Sequence, residues 1–262
     1  MSFSSLINEV SQVDSVIEIN ESWSQGRAGF GGLVAALVYE SMAKQLSDDR
    51  PVRSLHVSFV GPVTAGEPLC LESEVLREGK SVSQILGRGV QNGQTQVSIL
   101  GSFGHGRPSS IQVNDKMHIF PENPSEQTPF NFLEGVTPNF TKYFDFRYCT
   151  ALPFAGSDET VLRGFVRFKS SDEKIGIAQL LALIDAWPPA PLPMLKVLAP
   201  ASSLNWTVEF IHPMPVLAPD EYCQYEAEIV HASNGYGHTR AKIWNRKGEL
   251  IAISQQTVTI FG

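Results

Sequence analysis

The sequence predicts an α+β fold built from two similar helix–sheet units. Two apolar segments each have the length of one helix. Stretches of alternating apolar and polar residues follow both segments, as is typical of strands. The same order of features occurs once in each half of the chain, which indicates an internal repeat.

The strand-like segments show the repeat most clearly. Leu55–Pro62 reads LHVSFVGP and Trp206–Pro213 reads WTVEFIHP, and both alternate before ending at a proline. Later in each half, a glycine stands in a turn between two further strand-like runs, at Gly93 and at Gly248. Glycine suits the positive φ of a hairpin turn, so we expect a meander of three or four antiparallel strands in each half.

The helical segments repeat as well. Gly31–Met42 and Gly176–Trp187 align with a shift of 145 residues, and Ile175–Ile184 is apolar except for Gln179. A helix that is apolar on nearly every side must be surrounded by protein, and this one is too short to span a bilayer. A curved antiparallel sheet around each helix, with the two sheets joined to cover their edges, meets this requirement. This arrangement is a double hotdog; two α+β units without a shared sheet are the alternative.

The segment between the two repeats has a different composition. It is rich in Pro, Ser, Asn and Gly, as in GRPSS and FPENPSEQTP, and has no clear periodicity. We therefore predict an N-terminal hotdog over residues 1–104, a linker over 105–138 and a C-terminal hotdog over 139–262.

Composition and missing motifs narrow the function. A net charge of −7 and a pI near 5.4 argue against nucleic acid and membranes as partners. The three cysteines form no CxxC pair, and neither a signal peptide nor a membrane span is recognisable, so we expect a reduced, cytoplasmic protein. The sequence contains no GxSxG, HExxH, phosphate-loop or dinucleotide motif, and its histidines are scattered. We expect no metal and no cofactor.

An ordered set of short motifs resembles the acyl-CoA thioesterase II family. The resemblance implies the double hotdog fold and hydrolysis of an acyl-CoA, which we expect to be of medium or long chain, to fatty acid and CoA. It also implies assembly into homodimers or homotetramers. The matching stretches are FGG at 30–32, SLHVSFVGP at 54–62, LREGKS at 76–81, VQNGQ at 90–94, SSLNWTVEFIHP at 202–213 and LIAISQQ at 250–256.

The resemblance also implies a set of catalytic residues. The family uses an Asp at the second core helix, a Thr or Ser on the next strand and a Gln on the last strand. In this sequence the corresponding residues are Asp185, Ser203 and Gln256. The hydroxyl position stays open, because Ser202 and Thr207 lie on the same segment.

These residue types suit thioester hydrolysis. A carboxylate in an apolar setting has a raised pKa and is a better base for water than a solvated one. Hydrogen bonds from Ser203 and Gln256 would keep Asp185 ionised and hold the water. The backbone N–H groups of Gly31 and Gly32, at the start of a helix, are candidates for binding the thioester carbonyl.

Other interpretations remain at this stage. Asp185 could be a helix-end residue that faces solvent. Glu40 occupies the matching place in the first half and could be a relic of a second site or an exposed helix residue. His56 is a candidate for the acyl pocket or an ordinary strand residue. Paired with Asp185, it would suit a hotdog dehydratase or hydratase. A non-catalytic acyl-thioester-binding protein is the third possibility.

Overall fold

The computed structural model describes residues 1–11, 14–113, 117–170 and 175–261. Its α-helices are α1 (Phe3–Glu9), α2 (Gly31–Ala43) and α3 (Ile177–Asp185). The strands of the first half are β1 (Val16–Glu18), β2 (Ser24–Gln25), β3 (Ala28–Gly29), β4 (Val52–Phe59), β5 (Pro68–Glu78), β6 (Val82–Gln91) and β7 (Gln94–Gly104). Those that follow are β8 (Thr128–Pro129), β9 (Phe144–Tyr148), β10 (Val161–Phe168), β11 (Ala201–Phe210), β12 (Cys223–Ser233), β13 (Tyr236–Trp244) and β14 (Leu250–Ile260).

One large sheet joins the two halves. Within the described residues, twelve strands form an antiparallel sheet in the order β1-β5-β6-β7-β4-β11-β14-β13-β12-β10-β9-β8. The central pair, β4 and β11, places Val57 opposite Trp206 and Leu55 opposite Val208. All four side chains are buried. The double hotdog prediction is confirmed, and the alternative of two separate sheets is wrong.

The two core helices are enclosed as their composition requires. Leu33–Val38 of α2 and Ala178–Ile184 of α3 are buried without interruption. The helices also pack on each other, because a Cβ on Gly32 would lie only 3.0 Å from Ala182 Cα. In the described part of the chain, no helix is both long and apolar enough to cross a membrane.

The predicted hairpin glycines adopt the expected backbone conformation. Asn92 and Gly93, between β6 and β7, have φ values of 51° and 73°. Gly248, between β13 and β14, has a φ of 80°. Glycine adopts such positive φ values without strain and asparagine tolerates them, so these turns suit the sequence and fix the strand register on each side.

The segment 105–138 packs against the second half. Its described residues contain one 3₁₀ turn, Pro124–Glu126, and the short strand β8. The His118 N–H donates to the Gly248 carbonyl at 2.9 Å, and the Phe120 N–H donates to Gln224 Oε1 at 2.6 Å. The Phe120 ring lies in a small apolar cluster on the outer face of the sheet. The segment therefore covers part of the sheet, while its boundaries at 104 and 138 stay predictions.

Aromatic stacking holds the start of α2. Phe30, which precedes the helix, stacks on Phe140 with ring centroids 4.1 Å apart and an interplanar angle of 8°. Trp23 stacks on Tyr143 at the same distance, with an angle of 13°. Phe140 and Tyr143 belong to a 3₁₀ turn of the second half, Asn139–Tyr143. The second half therefore positions the N-terminus of the first core helix.

A buried polar contact at the central seam gives a stability prediction. The Trp206 indole N–H donates to Ser254 Oγ at 2.9 Å, and both residues are buried. Ser254→Ala leaves this N–H without a partner and should lower the free energy of unfolding by about 1–3 kcal/mol. Urea denaturation measures the change. Gln255→Ala, at the exposed neighbouring position, is the control and should change the value by less than about 0.5 kcal/mol. Equal stability of the two variants would contradict the prediction.

Candidate active site

Asp185 lies where the two core helices meet. It is the last residue of α3, and its carboxylate accepts a hydrogen bond from the backbone N–H of Gly32, in the first turn of α2. A Cβ on Gly31 would lie 2.9 Å from Asp185 Oδ2, and one on Gly32 would lie 3.0 Å from Asp185 Cβ. The paired glycines therefore allow the helix N-terminus to approach the carboxylate.

Gln256 reaches the same carboxylate from the sheet. Its Nε2 donates to Asp185 Oδ1 at 3.2 Å. Gln256 lies on β14 opposite Trp206, with its side chain toward the core, whereas Gln255 is exposed on the other face. Alternation along the strand explains why only one of the two adjacent glutamines belongs to the site.

The candidate hydroxyls fall on different faces of β11. Ser203 is half-buried and lines a cavity together with Asp185. Ser202 reaches the rim of this cavity, but its exposed hydroxyl contacts Thr259 Oγ1 at 2.9 Å. Thr207 lies on the outer face, and a bulge separates its part of the strand from Ser203. Among the described residues, no hydrogen bond joins Ser203 to Asp185, so Ser203 remains available to a bound molecule.

His56 is not part of this arrangement. Its neighbours Leu55 and Val57 occupy the inner face of β4, which turns His56 outward. The imidazole is exposed, and its Nδ1 lies 3.3 Å from Thr207 Oγ1. The expectation that His56 lines an acyl pocket, or pairs with Asp185 as in a dehydratase, is therefore wrong. The alternation of side chains along β4 places His56 on the outer face of the sheet.

Two cavities meet at Asp185. The smaller has a volume of about 380 Å³ and is lined by residues that include Gly31, Ser203 and Gln256. The larger has a volume of about 660 Å³ and is lined mostly by apolar residues, with many aromatic side chains and prolines among them. Asp185 and Trp187 contribute to both walls. The carboxylate is thus placed between a partly polar space and an apolar one.

The pKa of Asp185 reflects opposing influences. Burial raises it to about 7, while the hydrogen bonds from Gln256 and from the Gly32 N–H lower it. The side chain keeps some accessible surface, but this surface opens to the cavities, so the carboxylate remains poorly solvated. Its place at the C-terminus of α3 also disfavours a negative charge, and the N-terminus of α2 favours one. As a result, the Asp185 carboxyl group is half-ionised near neutral pH.

The matching acid of the first half has a different setting. Glu40 is half-buried, and burial raises its pKa while Lys44 lowers it. It lines neither of the two cavities that meet at Asp185. Among the described residues, no cluster of three or more His, Cys, Asp or Glu side chains has the geometry to hold a metal ion.

Most of the larger cavity was not predictable from sequence motifs. Phe130, Phe140 and Tyr148 come from the linker and from the start of the second half. Trp187 follows Asp185 by two residues and was visible only as an aromatic residue before a proline run. Tyr148 ends β9, whose sequence alternates, but Phe130 follows β8 and Phe140 lies in a 3₁₀ turn, where no periodic pattern marks them.

The burial of Asp185 predicts a pH-dependent cost in stability. Asp185 ionises near pH 3.9 in the unfolded chain and near 7 in the folded one, so its ionisation destabilises the fold progressively as the pH rises between these values. Asp185→Asn removes this dependence. As the pH rises from 4 to 8, the free energy of unfolding of the variant should increase by roughly 2–4 kcal/mol relative to that of the native chain. Urea denaturation at a series of pH values measures this, and a constant difference would contradict the raised pKa.

Comparisons with known proteins agree with the fold. The pattern of the acyl-CoA thioesterase N-terminal domain matches residues 19–104, and that of the C-terminal domain matches residues 121–260. Acyl-CoA thioesterase 2 of Haemophilus influenzae is 21% identical over 271 aligned positions, covering 95% of this chain and 93% of that protein.

Two solved structures have the same fold. A conserved hot dog fold protein from Alicyclobacillus acidocaldarius has a TM-score of 0.80 and 19% identity, with 94% of this chain and 92% of that one covered. The acyl-CoA thioesterase II TesB2 of Mycobacterium marinum has a TM-score of 0.73 and 22% identity, with 94% and 93% covered. Since the two domain patterns together span most of the sequence, this chain belongs to the acyl-CoA thioesterase family of thioester hydrolases.

Proposed function

We propose that this protein hydrolyses an acyl-CoA of medium or long chain to the free acid and CoA, with Asp185 activating the attacking water. The observation that carries the proposal is the hydrogen bond between Gln256 and Asp185 at the junction of two cavities. A carboxylate with a pKa of about 7 is matched to taking a proton at neutral pH.

In the proposed reaction, a water bound to Asp185 attacks the thioester carbonyl carbon. The water gives a proton to the carboxylate as the new C–O bond forms. The tetrahedral intermediate then collapses, the C–S bond breaks, and the departing thiolate takes the proton from Asp185 to give the CoA thiol, which returns the carboxylate to its ionised form. Gln256 has an amide oxygen as well as the N–H that binds Asp185, so the same side chain can also hold the water.

The developing negative charge on the carbonyl oxygen needs donors. Gly31 lines the smaller cavity at the start of α2, where N–H groups lack helical partners and the helix dipole favours negative charge. The Ser203 hydroxyl lines the same cavity. We assign binding of the thioester carbonyl oxygen to the Gly31 N–H and the Ser203 hydroxyl, because the Gly32 N–H already donates to Asp185.

The two cavities suggest how the substrate lies. The larger one, with its aromatic and proline lining, suits the acyl group, and its 660 Å³ falls in the usual range for ligand pockets. The smaller one would take the thiol-bearing arm of CoA. This orientation places the thioester at Asp185, which lies in the walls of both cavities.

Replacement of Asp185 tests the proposed base. Asp185→Asn keeps the shape of the side chain but cannot accept the proton, so kcat/KM for thiol release should fall about 10²–10⁴-fold. For the native chain, kcat/KM should rise about tenfold per pH unit below pH 7 and level off above it. A thiol-release assay on acyl-CoAs from acetyl to palmitoyl measures both. Full activity of the variant would contradict the assignment of Asp185 as the base. Saturable binding without thiol release by the native chain would indicate a non-catalytic binding protein.

The adjacent glutamines provide a matched test of the hydrogen bond to Asp185. Gln256→Leu removes a donor that stabilises the ionised form, so the midpoint of the pH–rate profile should rise by roughly 1–2 units. Gln255→Leu alters the neighbouring exposed side chain and should leave the midpoint unchanged. If both variants kept the native midpoint, Gln256 would have no part in setting the pKa of Asp185.

A further inference from the structure

A short hairpin borders both of the cavities that meet at Asp185. Its strands, β2 and β3, pair with each other, and Gly26 and Arg27 form the two-residue turn between them. Gln25 lines both cavities, Ala28 lines the smaller one and Gly26 lines the larger one. Arg27 therefore stands between residues that face the cavities, although it belongs to neither wall.

The hairpin is anchored at its base and open at its tip. The Gly29 N–H donates to the Val63 carbonyl at 2.7 Å. Gly26 has a φ of 62°, which suits the first central position of a type II′ turn. A Cβ on Gly26 would meet no atom within 4 Å. The turn thus holds Arg27 at a defined place with open space beside it.

Arg27 is a cation without a protein partner. Its side chain is exposed, and within the described part of the chain it forms neither an ion pair nor a hydrogen bond. By contrast, Arg50, Arg147 and Arg167 each pair with an acidic side chain. A guanidinium is planar and permanently charged, and it binds the oxygens of a phosphate in pairs. Arg27 is therefore available to an anionic ligand.

The walls of the two cavities supply no positive charge. Asp185 is the only charged side chain among the described residues that line them. Along the sequence, Arg27 is the only Lys or Arg within three positions of any residue that lines the smaller cavity. CoA is a polyanion and the chain has a net charge of −7, so a cation at this place would offset their repulsion.

We propose that Arg27 binds the phosphate at the end of the pantetheine arm of CoA. This inference rests on the proposed function, because it takes the thioester to lie at Asp185 and the arm to lie in the smaller cavity. The arm separates the sulfur from the phosphates, so the groups that bind the phosphates must stand outside the walls near the thioester. The chain from Arg27 to Gly31 spans at most about 14 Å. Since Gly31 adjoins Asp185, Arg27 is within reach of the phosphate nearest to the arm.

The contact should affect KM rather than kcat. Arg27 meets a part of the substrate that does not react, so it binds the ground state and the transition state equally. The contact lies in open solvent and should therefore weaken as salt is added.

Matched substrates test the inference. Thiol release would be measured on octanoyl-CoA, on octanoyl-phosphopantetheine, which keeps only the phosphate at the end of the arm, and on octanoyl-pantetheine, which has none. In the native chain at low salt, kcat/KM should be about tenfold higher for both phosphorylated substrates than for octanoyl-pantetheine. In Arg27→Gln this preference should fall at least about fivefold through KM. Arg27→Lys keeps the charge and should retain part of the preference.

Arg77→Gln is the matched control. Arg77 is an exposed residue of β5 that lines neither cavity, and the substitution removes the same charge. The preference should persist in this variant. An absent preference in the native chain, one that octanoyl-phosphopantetheine does not share, one that survives in Arg27→Gln, or an equal loss in both variants would overturn the inference.

Calorimetric titration separates this inference from the proposed function. If no acyl-CoA released thiol, the proposed function would fail, but the binding of octanoyl-CoA to the Asp185→Asn chain could still be measured. A Kd that rises about fivefold on adding Arg27→Gln, and not on adding Arg77→Gln, would support the phosphate contact even then. Equal Kd values throughout would overturn it.

Discussion

The approach of the N-terminus of α2 to the carboxylate of Asp185 is the contact on which the site depends. The Gly32 N–H and the dipole of α2 favour a negative charge that burial and the C-terminus of α3 oppose. Gly31 and Gly32 make the contact possible, since a Cβ at either position would collide with Asp185. The joined sheet and the Phe30–Phe140 stack hold the two helices in this relation.

This balance links stability to chemistry. A fully solvated carboxylate would be a weak base, and a fully buried one would stay protonated at neutral pH. The hydrogen bonds from Gln256 and Gly32 bring Asp185 between these limits, at a pKa of about 7. Strained or poorly solvated groups of this kind are common at functional sites and cost stability that the rest of the fold must supply.

Local patterns predicted the fold well, because the repeat, the enclosed helices and the hairpin glycines are each fixed by nearby residues. Alternation along a strand predicted that Gln256 and Gln255 face opposite sides of the sheet. The same alternation in β4 places His56 on the outer face. The bulge after Ser203 and the walls of the larger cavity were beyond such reasoning. Both depend on contacts between residues far apart in the chain, as does the pKa of Asp185.

Direct titration of the Asp185 carboxyl group tests the central claim. Infrared difference spectra of the native chain and Asp185→Asn, recorded between pH 4 and pH 9, isolate the carboxyl band of this one residue. The account predicts a protonated band that disappears with a midpoint near pH 7. A midpoint near 4, the ordinary value for a solvated aspartate, would contradict it.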